Sequence, residues 1–237
     1  MYVRQRTYTV IGGRMQIAIQ NVSKKYGRKT VLSDVCFSAK SGDGIGIIGV
    51  NGSGKSTLLS ILAGVVRADK GSFFCDDINL FKNSKVRSKA IGFVPQGTPL
   101  IEELTAYDNL SLWYDRKALR RELDGGTLAL LGINEFLKKR VSKMSGGMKK
   151  RLSIGCAIAN RPPILLLDEP MSALDIVCKQ RIKEYLIAYK NAGGILILVT
   201  HDVLELELCD RCYSLKSGKL HETCFTGNTK SLVDSIV

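Results

Sequence analysis

No apolar run in this sequence approaches the ~18 residues that a membrane-spanning helix needs. The opening stretch, MYVRQRTYTVIGGR, also lacks the continuous apolar core of a secretory signal. Both absences predict a protein that stays in the cytoplasm. Histidine is scarce, at two residues, and cysteine, at seven, is odd in number and cannot be fully paired. The spacing Cys209-Asp-Arg-Cys212 has no second ligand pair, and neither His201 nor His221 stands where a zinc site would need it. The cysteines are therefore expected to act as small buried apolar side chains. Repeats, low-complexity tracts and Gly/Ser linkers are missing too, so nothing in the composition marks a linker or a disordered chain.

Acidic side chains are also in deficit, 22 against 35 lysines and arginines, for a formal charge of +13. The basic residues cluster at Lys24, Lys25, Arg28 and Lys29, at Lys138, Lys139 and Arg140, and at Lys149, Lys150 and Arg151. Such a surplus favours nucleic acid, anionic lipid or acidic partners, or simply keeps a solvated surface apart from its copies. The clusters are dispersed and carry no interleaved aromatics for base stacking, so nucleic acid is not the expected partner.

What is present is an ordinary globular balance. The 237 residues are 45% hydrophobic and 24% charged, enough for one large domain or two small ones with a real core. Three short apolar runs stand out, at 45–50 (IGIIGV), 164–167 (ILLL) and 195–200 (ILILVT). Continuous apolar strands of this length suit a sheet buried on both faces, hence a parallel α/β core. Each run ends in polar residues, and in open α/β sheets ligands sit beyond the carboxyl ends of strands. Three strands are thus expected to deliver GVNGSGKS, Asp168-Glu169 and His201-Asp202 to one crevice. Around that core, residues 15–40 and 71–78 read as short alternating strands, with Tyr26-Gly27-Arg28 as a turn. Residues 105–159 read as helical, and Pro162-Pro163 stops the last helix before the next strand. Residues 1–14 precede the first strand as an extension of uncertain status.

Gly49-Val50-Asn51-Gly52-Ser53-Gly54-Lys55-Ser56 fits G-x-x-x-x-G-K-[ST] in full, between a strand and a helical run at 57–66. Glycines let successive backbone N–H groups turn toward phosphates, and the following helix directs its positive end at them. Lys55 offers a compact cation to the β- and γ-phosphates, and the Ser56 hydroxyl suits Mg2+. The second half of the site is Asp168-Glu169, at the tip of a strand expected beside the phosphate-loop strand. Asp168 is placed to hold Mg2+, and Glu169, one residue further, can serve an attacking water as general base. An acidic pair after a strand is otherwise a simple helix cap; the phosphate loop tips the reading toward chemistry.

Met144-Ser145-Gly146-Gly147-Met148, ahead of a helix at 149–159, resembles the signature of ATP-binding cassette (ABC) proteins. With the motifs above, the resemblance covers the chain from about Met15 to about Leu220. It implies a P-loop NTPase core with a mainly parallel sheet, an N-terminal antiparallel β subdomain and an inserted helical subdomain at about 97–160. The whole of 15–237 would be one ATPase domain. It implies a Mg2+-dependent ATPase. Tyr26 resembles the aromatic that stacks on adenine, and Thr57 completes the phosphate loop. Gln96 resembles the glutamine that reaches Mg2+ or the attacking water, and His201 the histidine that faces the γ-phosphate. Ser172-Ala-Leu-Asp175 resembles the D-loop, with Asp175 near nucleotide.

In the family, two cassettes pack head to tail, and Ser145, Gly146 and Gly147 would close over the partner's ATP. A second cassette, identical or paralogous, and separate transmembrane permease subunits are therefore the expected partners, on the inner face of the cell membrane. The stretch 97–113, with Leu100, Ile101, Leu104, Tyr107 and Trp113, would line the permease docking groove or else the core. Met144 and Met148 stand where the family usually has leucine and glutamine. The resulting SGGM form resembles cassettes of exporters. The rival reading, prompted by the charge, is an ABC-type ATPase that acts on nucleic acid away from any membrane.

Overall fold

The computed structural model describes residues 15–223; the expected extension at 1–14 and Cys224 lie outside them. Alternation of apolar and polar residues builds the first layer. Strands β1 (Gln16–Tyr26) and β2 (Lys29–Lys40) pair antiparallel, with Ile17, Ile19, Val22, Leu32 and Val35 turned inward. The turn between them places Gly27 at φ +57°, in the left-handed region that glycine adopts without a Cβ penalty. Strands β4 (Lys70–Cys75) and β5 (Ile78–Asn79) complete a four-stranded sheet in the order β2-β1-β4-β5.

The second sheet is the apolar one. It consists of β3 (Gly44–Ile48), β6 (Ile91–Val94), β7 (Ile164–Asp168), β8 (Ile195–Val199), β9 (Arg211–Lys216) and β10 (Lys219–Thr223), in the order β10-β9-β3-β8-β7-β6. All its pairings are parallel except β10 with β9. Ile164, Leu166, Ile195 and Ile197 face a core shared with β1, β2, β4 and helix α1 (Lys55–Ala63). Leu165, Leu167, Leu196 and Leu198 face the opposite core. Burial of both pleats is what turns these strands into unbroken apolar runs.

The opposite core is roofed by helices. Between β6 and β7 lie α3 (Ala106–Ser111), α4 (Arg116–Leu123), α5 (Thr127–Leu130) and α6 (Gly146–Ala157), and α7 (Ile176–Asn191) follows β7. Short helix α2 (Ser84–Ala90) leads into β6, and α8 (Val203–Leu206) follows β8. Thr105 and Asp108 form a reciprocal capping box at the start of α3, and Asp115 caps α4. The Tyr114 hydroxyl donates to the Gly155 carbonyl at 2.8 Å, tying the link between α3 and α4 to α6.

Several expectations need correction. Strand β7 does not lie beside the phosphate-loop strand, because β8 is inserted between β3 and β7. The region 105–159 is a series of short helices and two 3-10 turns (Ile133–Phe136 and Val141–Lys143), since Gly125, Gly126 and Gly132 interrupt it. Helix α1 begins at Lys55 rather than Thr57, and α6 begins at Gly146 rather than Lys149. Helix α6 ends at Ala157, four residues before Arg161, whose positive φ of 48° precedes Pro162. Cys36 is exposed on β2, unlike the buried Cys75, Cys178 and Cys212.

Gly92 has no room for a side chain on β6. A Cβ there would meet the Ala157 carbonyl oxygen at 2.8 Å, Pro162 at 2.8 Å and Leu165 at 2.9 Å. Gly92→Ala should therefore destabilise the fold by about 1–3 kcal/mol, as overpacking against backbone does. Urea unfolding checks this; an unshifted midpoint would mean that β6 and α6 separate freely.

Candidate functional site

Four adjacent parallel strands end along one edge of the sheet, and each is followed by predicted site residues. Strand β3 runs into the loop 49–54, β8 into Thr200 and His201, β7 into Asp168 and Glu169, and β6 into Pro95 and Gln96. The edge opens on a cavity of about 650 Å³. Its floor is Asn51, Gly52, Gly54, Lys55, Ser56 and Thr57; its far wall is Gln96, Asp168, Glu169 and His201; Tyr26 stands at its rim. The sequence missed two lining residues, Lys29 and Val31 on β2. Val31 reaches the loop because a Cβ on Gly54 would lie 2.9 Å from its side chain, a proximity that only the fold reveals.

The floor is an unsatisfied helix end. Helix α1 starts after Gly54 (φ 110°) with no side-chain cap and no acidic residue in its first turn. Most helices fill this position with Ser, Thr, Asp or Asn. Here the first N–H groups and the positive end of the helix face the cavity, a ready-made anion site. A Cβ on Gly52 would meet nothing within 4 Å, so that glycine serves backbone conformation (φ 77°) rather than packing. Gly49 and Val50 carry the carbonyls to which Lys55 Nζ donates, at 2.7 and 3.1 Å. Burial lowers the Lys55 pKa, while Glu169 and Asp168 raise it. The Ser53 hydroxyl is buried without a hydrogen-bond partner.

The wall is a connected set of polar groups. Asp168 is 3% exposed, and burial raises its pKa against a hydrogen bond from the Ser56 side chain, which lowers it. Glu169 adopts φ +46°, the left-handed region that costs a non-glycine residue on the order of 1–3 kcal/mol. Its N–H still donates to the Val199 carbonyl at 2.8 Å, so the backbone turns out of the ladder at this residue. Glu169 Oε2 accepts from Gln96 Nε2 at 3.0 Å, and His201 Nε2 lies 3.9 Å from Glu169 Oε1. Burial, and then the Lys55 charge, lower the His201 pKa, which favours the neutral imidazole.

Lys150 is the residue that the sequence misassigned. It was counted in a surface cluster, yet it is 5% exposed, as is Arg151. Lys150 Nζ donates to the Pro95 and Gln96 carbonyls, both at 3.1 Å. Arg151 donates to the Leu131 carbonyl at 2.9 Å and lies over the Phe136 ring. The run Lys149-Lys150-Arg151 gave no signal of burial, because a helix in contact with two layers buries charged residues only where carbonyls meet them.

Ser145, Gly146, Gly147 and Asp175 do not join the cavity. Ser145 accepts from the Met148 N–H at 3.3 Å and caps α6; Asp175 accepts from the Cys178 N–H at 2.9 Å and caps α7. The two helix starts lie together. A Cβ on Gly147 would meet Cys178 Sγ at 2.6 Å and Asp175 at 3.7 Å, whereas Gly146 faces open space.

A family model described as ABC transporter matches residues 32–172. The chain belongs to the ABC transporter family. It is one of that family's ATPase cassettes. It is 33% identical to the linearmycin resistance ATP-binding protein LnrL of Bacillus subtilis, over 85% of the cassette and 66% of that protein. It is 32% identical to the lipopolysaccharide export system ATP-binding protein LptB of Haemophilus influenzae, over 87% and 89%. Identity to the sulfate/thiosulfate import ATP-binding protein CysA of Mesostigma viride is 34%, over 88% of the cassette and 61% of that protein. The cassette thus spans about two thirds of the length of some curated relatives. Among solved structures it is similar to the dimeric post-hydrolysis state of the cassette MJ0796 bound to ADP and Pi, with TM-score 0.77, 31% identity, and coverage of 87% and 97%. Among the described residues, no helix is long and apolar enough to cross a membrane.

Lys150 offers a direct test of how the Gln96 loop is held. Lys150→Met should release two charge-assisted hydrogen bonds, each worth roughly 1.5–3 kcal/mol. Hydrogen exchange at residues 96–98 should quicken in the full chain, and turnover should fall while nucleotide affinity holds. Unchanged exchange there would mean that β6 alone fixes the loop.

Proposed function

We propose that this cassette hydrolyses ATP in a Mg2+-dependent reaction and drives separate transmembrane permease subunits. The observation that carries the chemistry is the left-handed Glu169, which shares the cavity with an uncapped helix N-terminus and is hydrogen-bonded to Gln96. ATP phosphates would lie on the N–H groups of 49–57, with Lys55 leaving its own loop carbonyls for the β- and γ-oxygens. Tyr26, 51% exposed at the rim, would stack on the base. The Ser56 hydroxyl, the Asp168 carboxylate and the Gln96 amide oxygen are hard oxygen donors and few, which suits an ion that keeps water and phosphate ligands. Mg2+ held there would neutralise charge on the phosphates.

Hydrolysis then needs a base and a donor. Glu169 takes a proton from the attacking water as its oxygen bonds to the γ-phosphorus and the bond to the ADP oxygen breaks. The neutral His201 donates a hydrogen bond to the γ-phosphate oxygens as their charge shifts. Gln96, tied to Glu169, orients the same water.

Ser145, Gly146 and Gly147 repeat the anion logic at the start of α6, which has no acidic residue in its first turn. Because they lie outside the cavity, a second cassette packed head to tail would receive them, with Asp175 beside them. The dimeric state of the similar MJ0796 cassette supports this. Exposed Ile101, Tyr107, Leu112 and Trp113 would take the permease, on the inner face of the membrane. The Met148 form of the signature and the lipopolysaccharide-export relative support export, within a family whose relatives also include an importer.

Two experiments test this reading. Glu169→Gln should keep ATP affinity and lower kcat by about 10²–10⁴, the usual worth of a positioned base; near-normal turnover would remove Glu169 from the role. Mixing Lys55→Ala and Ser145→Arg chains should regain turnover that neither variant shows alone, since one heterodimer site keeps both halves intact. No gain on mixing would sink the head-to-tail pair.

A further inference from the structure

Glu205, on α8, is fully buried and has no part in the reaction as described. Its Oε1 accepts the Met171 N–H at 2.7 Å, and Oε2 is buried without a hydrogen-bond partner. The Glu205 N–H donates to the Asp202 carbonyl at 3.1 Å, which ties the residue to the start of α8. Met171 is two residues beyond Glu169, and Glu205 is four residues beyond His201. One carboxylate therefore joins the segments that carry the two groups on either side of the reacting phosphate.

The surroundings show that this is a held position rather than an incidental contact. The Asp202 N–H donates to Thr200 Oγ1 at 2.8 Å, and Lys179 of α7 donates to Asp202 Oδ2 at 2.5 Å. The Thr200 N–H extends the ladder to the Ile47 carbonyl at 3.3 Å. Burying a carboxylate so completely is unfavourable, and desolvation pushes Glu205 up to about 7. A leucine or methionine would fill a similar volume without that penalty, but would offer no acceptor to the Met171 N–H. Residues 169 and 173 both lie at positive φ in this segment, so its backbone is strained and needs an external hold.

We propose that Glu205 is a positioning residue that fixes the separation of Glu169 and His201 for hydrolysis by tying Met171 to the start of α8. This rests on the roles given above to Glu169 and His201. A reacting group misplaced by about 1 Å can lower a rate by 10²-fold, so loss of the tie should appear in kcat and not in nucleotide binding.

The test uses the full chain, with ATP titrated well below the unfolding midpoint and rates expressed per folded molecule. Glu205→Ala should lower kcat on the order of 10- to 100-fold while KM stays within about twofold. Glu205→Gln keeps an oxygen for the Met171 N–H and should restore kcat to within about threefold of wild type. In a Glu169→Gln background, Glu205→Ala should cost much less, because the group it positions is already disabled. Should Glu205→Ala fail to fold, Glu205→Leu fills the volume without an acceptor for Met171 and should lower kcat several-fold. Wild-type kcat in Glu205→Ala or, where that variant does not fold, in Glu205→Leu overturns the proposal. So does an equal loss in the Glu169→Gln background, which would be a structural effect. Wild-type turnover in Glu169→Gln itself overturns both this proposal and the reading beneath it.

Discussion

The parallel ladder β3-β8-β7-β6 sets where each reacting group of this cassette can be. Parallel strands all end at the same edge, so four polar tips meet with no long loop to carry them. Their lateral order is equally constraining. Neighbouring strands lie about 4.8 Å apart, which puts the phosphate loop, His201, the Asp168-Glu169 pair and Gln96 in sequence across the cavity. His201 thus lies between the phosphate loop and the Asp168-Glu169 pair. An antiparallel strand at any of these four positions would send its tip to the opposite edge. The antiparallel member, β10, sits at the far margin, where it carries none of these groups.

That arrangement explains which parts of the site could be read from sequence. The runs at 164–167 and 195–200 are apolar because both pleats are covered, and their polar ends are abrupt, so Asp168 and His201 announce strand tips. The lateral order of strands leaves no such trace. Nothing in 164–169 or 195–201 says that β8 lies between β3 and β7, and the expectation of adjacency failed there. Lys150 failed for a different reason. Its partners are the carbonyls of Pro95 and Gln96, more than fifty residues away, and a basic run looks the same whether its members are solvated or pinned to a distant loop. Val31 likewise became legible only when the fold set it against Gly54. The motifs of local chemistry could be read; the partners supplied by long-range contact could not.

Two of the lysines acquire a physical role in the same way. Lys55 and Lys150 are both buried beside Asp168 and Glu169, and each carboxylate raises the pKa of both lysines against desolvation. The site is therefore assembled with its charges already balanced, and phosphates would displace Lys55 from neutral carbonyls rather than from an ion pair. That exchange is inexpensive, because a lysine bonded to two backbone oxygens gives up less than one bonded to a carboxylate.

Two helix starts lack an acidic first turn; that of α1 lines the cavity and that of α6 lies outside it. Helix α1 has no side chain at its N-cap, so its N–H groups are free for a ligand inside the cavity. Helix α6 is capped by Ser145 at 3.3 Å, a long bond that an incoming phosphate oxygen could replace, and Gly146 beside it faces open space. Gly147, by contrast, leaves no room for a Cβ against Cys178, so the starts of α6 and α7 are packed together there. Asp175 caps α7 at that same point. The chain from Asp175 leads back through Met171 to Glu169 and the cavity. Under the head-to-tail arrangement proposed above, a phosphate received at Ser145 would therefore lie against the stretch of chain that continues into Glu169.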